Sequence, residues 1–289
     1  MAGQQGGAGG QAEWSARARS FGSVAEAYDR YRPGYPDALL DDVLALAPGR
    51  RVLEAGAGTG RATLELVRRG ARVVAVEPDP AMAEVARRRL AGLTGHTGAG
   101  PGGDADVDAG GGGVDVREAR FEDHDAPDRA FDLVVAAQAW HWVDPEGGPA
   151  AAARALVDGG VLAVWWNRPR DPSGPVWDAI HAVYAEHAPG LAHSSRAHTH
   201  THSHAEDTVA APGFTAWTRR TYAWSAPYDA ETYCAMVATH SDHIRLPDAQ
   251  RARLLEAVHD AIVGAGGRLD YEFRTLLLHA RTDRTRATA

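Results

Sequence analysis

The 289-residue chain contains no lysine and a single cysteine, and each scarcity excludes a class of structure or partner. With only Cys234, no intrachain disulfide can form and no zinc site made of cysteines can be built. All 30 basic residues are arginines, against 38 acidic residues, and the net charge is −8. Because these arginines are scattered rather than clustered, we expect no nucleic-acid partner.

Long apolar runs are also missing. No run approaches the ~20 residues that span a bilayer, and the first residues have neither the basic start nor the apolar stretch of a secretory signal. We therefore predict a cytoplasmic protein with no membrane partner. The length allows one large α/β domain or two small ones.

Short apolar segments alternate with helical patterns along the chain, as in βαβ units with a parallel sheet. Two of these segments, 131–137 and 160–166, are continuously apolar, which is typical of strands covered on both faces. The pattern predicts a doubly wound α/β fold. The predicted strands are 51–55, 72–76, 114–117, 131–137, 160–166, 214–224 and 271–280. The predicted helices are 14–31, 36–46, 62–70, 80–90, 230–238 and 247–263.

The segment VLEAGAGTG, residues 52–60, carries the strongest signal. A predicted strand runs directly into three glycines and then into a helix, so backbone can approach a ligand closely while helix N–H groups face it. Glu77 ends the next predicted strand about 20 residues on, the usual place for an acid that accepts hydrogen bonds from both ribose hydroxyls. The pattern indicates a ligand that contains a nucleoside.

Three features favour a methyltransferase over a nicotinamide oxidoreductase, and a tight turn without a ligand is the structural alternative. The loop has the spacing Gly-x-Gly-x-Gly, whereas a pyrophosphate favours Gly-x-Gly-x-x-Gly. Glu54 precedes the first glycine, where a carboxylate would repel a diphosphate but could orient the amino-acid end of a zwitterionic cofactor. The chain also ends in a helix–strand tail rather than a second mononucleotide-binding half.

Four segments resemble the class I S-adenosylmethionine-dependent methyltransferases, in the type 11 and trans-aconitate methyltransferase-like branch. They are FGSVAEAYDRYRPGYP, VLEAGAGTG, VVAVEPDPAM and FDLVVAAQAWHWVDP. The resemblance is strong over 21–166 and loose over the tail. It implies a Rossmann-like, mostly parallel seven-stranded sheet with an antiparallel last strand, and S-adenosyl-L-methionine as the cofactor.

The resemblance also implies which residues bind the cofactor. Glu54 and the glycine loop would line its methionine part, Glu77 would hold the ribose, and Met82 would pack on the adenine. Gln138 and Ala139 would close over the sulfonium. The full implied set is Tyr28, Tyr31, Arg32, Glu54, Gly56, Ala57, Gly58, Gly60, Glu77, Pro78, Met82, Phe121, Glu122, Gln138 and Ala139.

The remaining members of this set belong to two other segments. Phe121 and Glu122 would flank the other face of the adenine and its amino group. The N-terminal helix acts as a lid in the family, which would bring Tyr28 and Tyr31 to the sulfonium through cation–π contacts. Arg32 could pair with the cofactor carboxylate, although a surface ion pair is its alternative role.

The predicted organisation is a disordered tail over 1–13 followed by a single methyltransferase domain over 14–289. Within that domain we distinguish a lid helix, a cofactor-binding core, and acceptor-side helices and strands that include a histidine-rich loop. These parts span 14–35, 36–170, 171–289 and, for the loop, 191–212.

Methyl transfer from a sulfonium mainly requires alignment of the acceptor and exclusion of water. A hydroxyl or amine acceptor would benefit from a base, whereas a carboxylate acceptor would not. His141, after the fourth strand, is the best-placed base, with a structural histidine as the equal alternative. His240 and His243 are weaker candidates, placed near the acceptor by the resemblance.

Tryptophans near the ends of neighbouring strands suggest a small acceptor of apolar or aromatic character. Trp140 and Trp142 are candidate pocket residues, and Asn167 could donate to the substrate or cap its strand. Ordinary core burial is the alternative for the tryptophans. Adjacent Trp165 and Trp166 must face opposite sides of their strand, so at most one of them can face a pocket.

The run HSSRAHTHTHSH has the histidine density of a metal site, but it lies between elements in a Ser/Thr-rich stretch. We interpret it as a loop and predict no metal site. The sequence thus predicts methyl transfer to a small-molecule acceptor. A nicotinamide oxidoreductase and a non-catalytic nucleoside-binding protein remain the alternatives, and the acceptor and the oligomeric state stay open.

Overall fold

The computed structural model describes residues 24–93, 113–170, 173–191, 213–215 and 217–283. The predicted tail, residues 14–23 of the predicted N-terminal helix, and nearly all of the histidine-rich loop lie outside the described residues. The described helices are α1 Ala25–Tyr31, α2 Asp37–Leu46, α3 Arg61–Arg68, α4 Pro80–Leu90, α5 Gly147–Ala155, α6 Pro175–His187, α7 Ala230–Ala238, α8 Ser241–Ile244 and α9 Asp248–Gly264. The described strands are β1 Arg51–Ala55, β2 Arg72–Glu77, β3 Gly113–Glu118, β4 Phe131–Ala137, β5 Leu156–Pro169, β6 Thr218–Asp229 and β7 Arg268–Arg281.

The strands form one seven-stranded sheet in the order β3-β2-β1-β4-β5-β7-β6. Strands β1 to β5 pair in parallel, and the last strand is antiparallel. This confirms the predicted fold class. After β3 the chain returns to the other side of β1 to form β4, so the strand order reverses between β1 and β4. Open α/β sheets bind their ligands at such a switch point, beyond the carboxyl ends of the strands.

The central strands are apolar because both of their faces are covered. In β4, Leu133 and Val135 join one apolar cluster, whereas Val134 belongs to another. Trp165 and Trp166 of β5 divide in the same way, and both are completely buried. This confirms that the two tryptophans face opposite sides of the sheet.

The contact pattern divides the chain into two compact units. The larger unit consists of the described residues within Gly34–Trp166, Ala205–Tyr222 and Leu276–Ala289. The smaller unit consists of those within Met1–Pro33, Asn167–His204 and Ala223–Thr275, and it has an apolar core of its own. Whether the chain behaves as the single domain that we predicted stays a prediction.

Several elements differ from the prediction. The short helix α8 was not predicted, and β5 extends beyond the predicted 160–166 at both ends. Three further differences have a clear physical reason. Strand β6 begins at Thr218 and continues to Asp229, past Pro227. An edge strand tolerates a proline, and no described strand pairs with the outer side of β6. Helix α5, with the sequence GGPAAAARA, was not predicted because it has no periodic large apolar residues. Helix α6 was missed although Pro175 stands at its first position and Trp177, Ile180 and Tyr184 line one buried face.

Within the described residues, no helix combines the length and the apolar character needed to cross a bilayer.

Candidate functional site

The glycine loop after β1 has a backbone conformation that only glycine adopts without strain. Gly56, Gly58 and Gly60 have φ angles of 66°, 59° and 77°. The N–H groups of Gly56 and Ala57 both donate to the carbonyl oxygen of Val76 in β2, over 2.9 and 3.0 Å. A Cβ at position 56 would lie 2.5 Å from the Cβ of Ala139, whereas one at position 58 would meet nothing within 4 Å. The loop is therefore closed on the β4 side and open at Gly58.

Glu77, at the end of β2, holds this loop in place. One carboxylate oxygen accepts from the Gly58 N–H over 2.7 Å, and the other accepts from the Asp79 N–H over 2.9 Å. Burial raises the pKa of Glu77 to about 7, against the opposing effect of these two bonds. Asp79 in turn caps helix α4 by accepting from the N–H groups of Ala81 and Met82. Each Glu77 oxygen keeps a second lone pair, so the carboxylate can also accept from a ribose.

Glu54 is a completely buried carboxylate in the central strand β1. Its Oε2 accepts from the Thr63 hydroxyl over 2.6 Å, while no described residue donates to its Oε1. Burial raises the pKa of Glu54 to about 7; the bond from Thr63 lowers it, and the charge of Glu77 raises it. An unpaired carboxylate oxygen in an apolar interior is costly, and a cationic donor would relieve this cost.

Two threonines of this site were not predicted. The hydroxyl of Thr59, in the glycine loop, is buried and has no hydrogen-bond partner among the described residues. Thr63 is completely buried on α3, nine positions after Glu54. Neither residue stands out in the sequence, because their roles appear only once α3 folds back over β1.

Two of the three residues assigned to the adenine are buried in the larger unit, and the third, Glu122, is partly exposed. Met82 and Phe121 are 4% and 5% exposed. The ring of Phe121 meets that of Trp140 edge to face at 5.9 Å. Glu122 accepts from the Arg120 Nε over 2.8 Å, so its carboxylate is already paired with a cation. Whether these residues bind adenine stays a prediction.

Gln138, directly after β4, has a φ of 61°, a conformation that costs a non-glycine residue about 1–2 kcal/mol. Its N–H donates to the Trp165 carbonyl over 2.8 Å. Ala139 follows, 7% exposed, against the glycine loop. Strained backbone of this kind is often found at ligand sites, which agrees with the predicted position of these two residues.

His141 lies in a short 3₁₀ helix, Trp140–Trp142, and contacts Trp166 of β5. Its Nδ1 accepts from the indole N–H of Trp166 over 3.2 Å. Because an indole only donates, the lone pair of Nδ1 is occupied and the neutral ring carries its proton on Nε2. In this arrangement His141 is a hydrogen-bond donor rather than a base. The geometry favours a structural role for His141, which was the alternative to a catalytic base in the sequence analysis.

The tryptophans give little support to an aromatic acceptor pocket. Trp140, Trp165 and Trp166 are at most 3% exposed. Of the four near these strand ends, Trp142 is the partly exposed one, and its ring contacts that of His141 at 4.7 Å. Core burial, the alternative interpretation, therefore accounts for three of these four tryptophans.

In the smaller unit, Arg32 connects α1 with the end of α7. Its Nε donates to the Thr239 hydroxyl over 2.8 Å, and its Nη2 donates to the Thr239 carbonyl over 3.0 Å. The guanidinium also lies over the Tyr28 ring, 4.9 Å from its centre, while Arg30 lies over the Tyr31 ring at 5.5 Å. These arginine contacts were not predicted. The cofactor roles assigned to Tyr28, Tyr31 and Arg32 stay predictions.

Asn167, also in the smaller unit, is buried in a chain of hydrogen bonds. Its Oδ1 accepts from the Thr275 hydroxyl over 2.7 Å, and the oxygen of Thr275 accepts from the Trp224 indole over 2.8 Å. These bonds connect β5, β7 and β6, which is a structural role. A contact between Asn167 and a substrate stays a prediction.

His240 and His243 belong to a cluster at α8. The Nδ1 of the buried His243 donates to the Asp242 carboxylate over 2.8 Å, and the Nε2 of His243 lies 2.7 Å from the Tyr184 hydroxyl. His240 contacts the ring of His243 edge to face at 5.6 Å. His240, Asp242 and His243 lie close enough together to be metal ligands. The hydrogen bonds of His243 and its ring contact with His240 account for the arrangement, and the absence of a metal site stays a prediction.

The switch point, the glycine loop and the acid at the end of β2 define the class: this is a Rossmann-like α/β protein with a methyltransferase fold. A family model described as methyltransferase domain matches residues 53–164. An uncharacterized methyltransferase of Mycobacterium bovis is 32% identical over 255 residues, covering 86% of this chain and 90% of that relative. A protein of Mycobacterium tuberculosis described in the same words matches with the same identity and coverage. This chain belongs to the class I methyltransferase family.

A solved structure from Anaeromyxobacter dehalogenans, described as a type II methyltransferase, has a TM-score of 0.60. It is 24% identical, and the match covers 87% of this chain and 98% of that one. This likeness shows the shared fold. The trans-aconitate methyltransferase-like branch stays a prediction.

Proposed function

We propose that this protein binds S-adenosyl-L-methionine and transfers its methyl group to a small-molecule acceptor. The observation that carries the proposal is Glu54, a buried carboxylate beside the glycine loop with one oxygen that no described residue pairs. The ammonium of the methionine part is a cation with N–H donors, which this oxygen requires. A diphosphate would be repelled by the same group, which disfavours a nicotinamide cofactor.

The other groups of the loop fit the rest of this ligand. Gly58 leaves open space where a side chain would otherwise project, so a ligand can approach the backbone. Glu77 offers further lone pairs to ribose hydroxyls. The buried hydroxyl of Thr59, unpaired among the described residues, supplies one more polar contact.

When bound, the cofactor supplies an electrophilic methyl group on a sulfonium, which is a good leaving group. The protein's contribution is then to hold this group in line with the acceptor and to exclude water, which can be worth about 7–11 kcal/mol. His141 offers no base at Nδ1, because that nitrogen accepts the indole N–H of Trp166. An acceptor that loses no proton to the protein, such as a carboxylate, fits this arrangement best.

Calorimetric titration with S-adenosylmethionine and S-adenosylhomocysteine, with NADH as the control, tests the cofactor assignment. We expect both sulfur ligands to bind in the micromolar range and NADH to bind far more weakly. Tighter binding of NADH, or no binding of either sulfur ligand, would contradict the proposal.

Transfer is tested with methyl-labelled S-adenosylmethionine and a panel of small carboxylates, alcohols and amines. A labelled product identifies the acceptor class, and carboxylates are the expected acceptors. Cofactor binding without transfer to any member of the panel would favour the non-catalytic alternative.

A further inference from the structure

Thr63 is the only described residue that donates to the Glu54 side chain. It stands at the third position of α3, directly after the glycine loop, and is completely buried. Its hydroxyl lies 2.6 Å from the Glu54 Oε2. The short distance is typical of a hydroxyl that donates to an ionised carboxylate.

This bond has two consequences for Glu54. A hydrogen bond to the charged form favours that form, so Thr63 opposes the effect of burial on the carboxyl group. The bond also stops the carboxylate from rotating, because one oxygen is held on the side of α3. The other oxygen, Oε1, is thereby kept in a fixed position with a free lone pair.

We propose that Thr63 is a positioning residue for cofactor recognition: by holding the Glu54 Oε2, it aims the Glu54 Oε1 at the ammonium of the methionine part. This inference rests on the proposed function, since it needs a ligand that carries an ammonium. It assigns to Thr63 a role in selecting the amino-acid end of the ligand and no role in binding the nucleoside.

A purely structural role for Thr63 makes a different prediction. If the threonine only supported the loop, its loss would lower the affinity for every ligand that the loop binds. If it positions Glu54, its loss would lower the affinity only for ligands that carry an ammonium. Two ligands separate these cases: S-adenosylhomocysteine has the amino-acid end, while 5′-methylthioadenosine has the same nucleoside and thioether without it.

The experiment titrates both ligands calorimetrically into the wild-type protein, Thr63→Val and Thr63→Ser. Valine has the shape of threonine without the donor, and serine keeps the hydroxyl. We expect Thr63→Val to bind S-adenosylhomocysteine about tenfold more weakly and 5′-methylthioadenosine with unchanged affinity. Thr63→Ser should restore most of the lost affinity. If Thr63→Val does not fold, Thr63→Ala is measured against Thr63→Ser with the same expectations.

An equal loss for both ligands, or no loss for either, would overturn the positioning role. Failure of the wild-type protein to bind S-adenosylhomocysteine is a separate result, which would refute the proposed function itself. The ratio of the two affinities is the decisive readout, because damage to the loop would not change it.

Discussion

Replacing Glu54 by glutamine should stabilise the ligand-free protein at high pH and weaken the binding of its proposed ligand. Burial raises the pKa of this carboxyl group from its ordinary 4.5 to about 7. Because the folded-state pKa is raised, Glu54 stabilises the folded state fully below pH 4.5, and this contribution is lost as the pH rises from there through about 7. A rise of this size corresponds to about 3 kcal/mol once the group is fully ionised.

Glutamine is neutral at every pH, and its amide oxygen can still accept from Thr63. We therefore expect Glu54→Gln to raise the free energy of unfolding by about 1 to 3 kcal/mol near pH 8.5 and by less than about 1 kcal/mol near pH 5. Urea unfolding without ligand at the two pH values measures the difference. The same variant should lose affinity for S-adenosylhomocysteine but not for 5′-methylthioadenosine.

Glu65, on the solvent side of α3, is the matched control. Although partial burial opposes the effect, hydrogen bonds from Arg69 and Arg68 lower the pKa of Glu65. Glu65→Gln should therefore destabilise the protein near pH 8.5, by no more than about 1 kcal/mol. If Glu54→Gln is no more stable than the wild type near pH 8.5, or if its gain is the same at both pH values, then Glu54 carries no costly buried charge in the free protein.

Two further predictions concern the loop and the contact of His141. Gly56→Ala should lower the affinity for S-adenosylhomocysteine by at least about tenfold, because the Cβ of the new alanine would collide with Ala139. Gly70→Ala, which also has a positive φ but open space around it, should cost about 1 kcal/mol in thermal unfolding and leave the affinity unchanged; equal losses of affinity would contradict this. His141→Ala should lower the free energy of unfolding by about 1–3 kcal/mol, since the buried indole N–H of Trp166 loses its acceptor. The loss should be smaller in a Trp166→Phe background, and a coupling energy near zero in this double-mutant cycle would show that the contact is absent.

Much of the fold could be predicted from the sequence because it depends on short-range patterns. The bounds of β1, β4, α4 and α7 agree with the predicted segments, since apolar runs and caps act within a few residues. The Gly-x-Gly-x-Gly spacing and the acid at the end of β2 likewise indicated a ligand that contains a nucleoside. Helix α5 escaped prediction because its alanines have no apolar periodicity, and only packing places it.

The order of the elements, the glycine loop and the place of Glu77 at a strand end could be read from the sequence, because each follows from local backbone preferences. The tertiary structure alone decided which side chains are paired. It left one oxygen of Glu54 without a described donor, and it occupied the Nδ1 of His141 with an indole 25 positions away. It also bound Arg32 to Thr239, 207 positions along the chain. Such pairs depend on how strands and helices pack, and no local pattern encodes them.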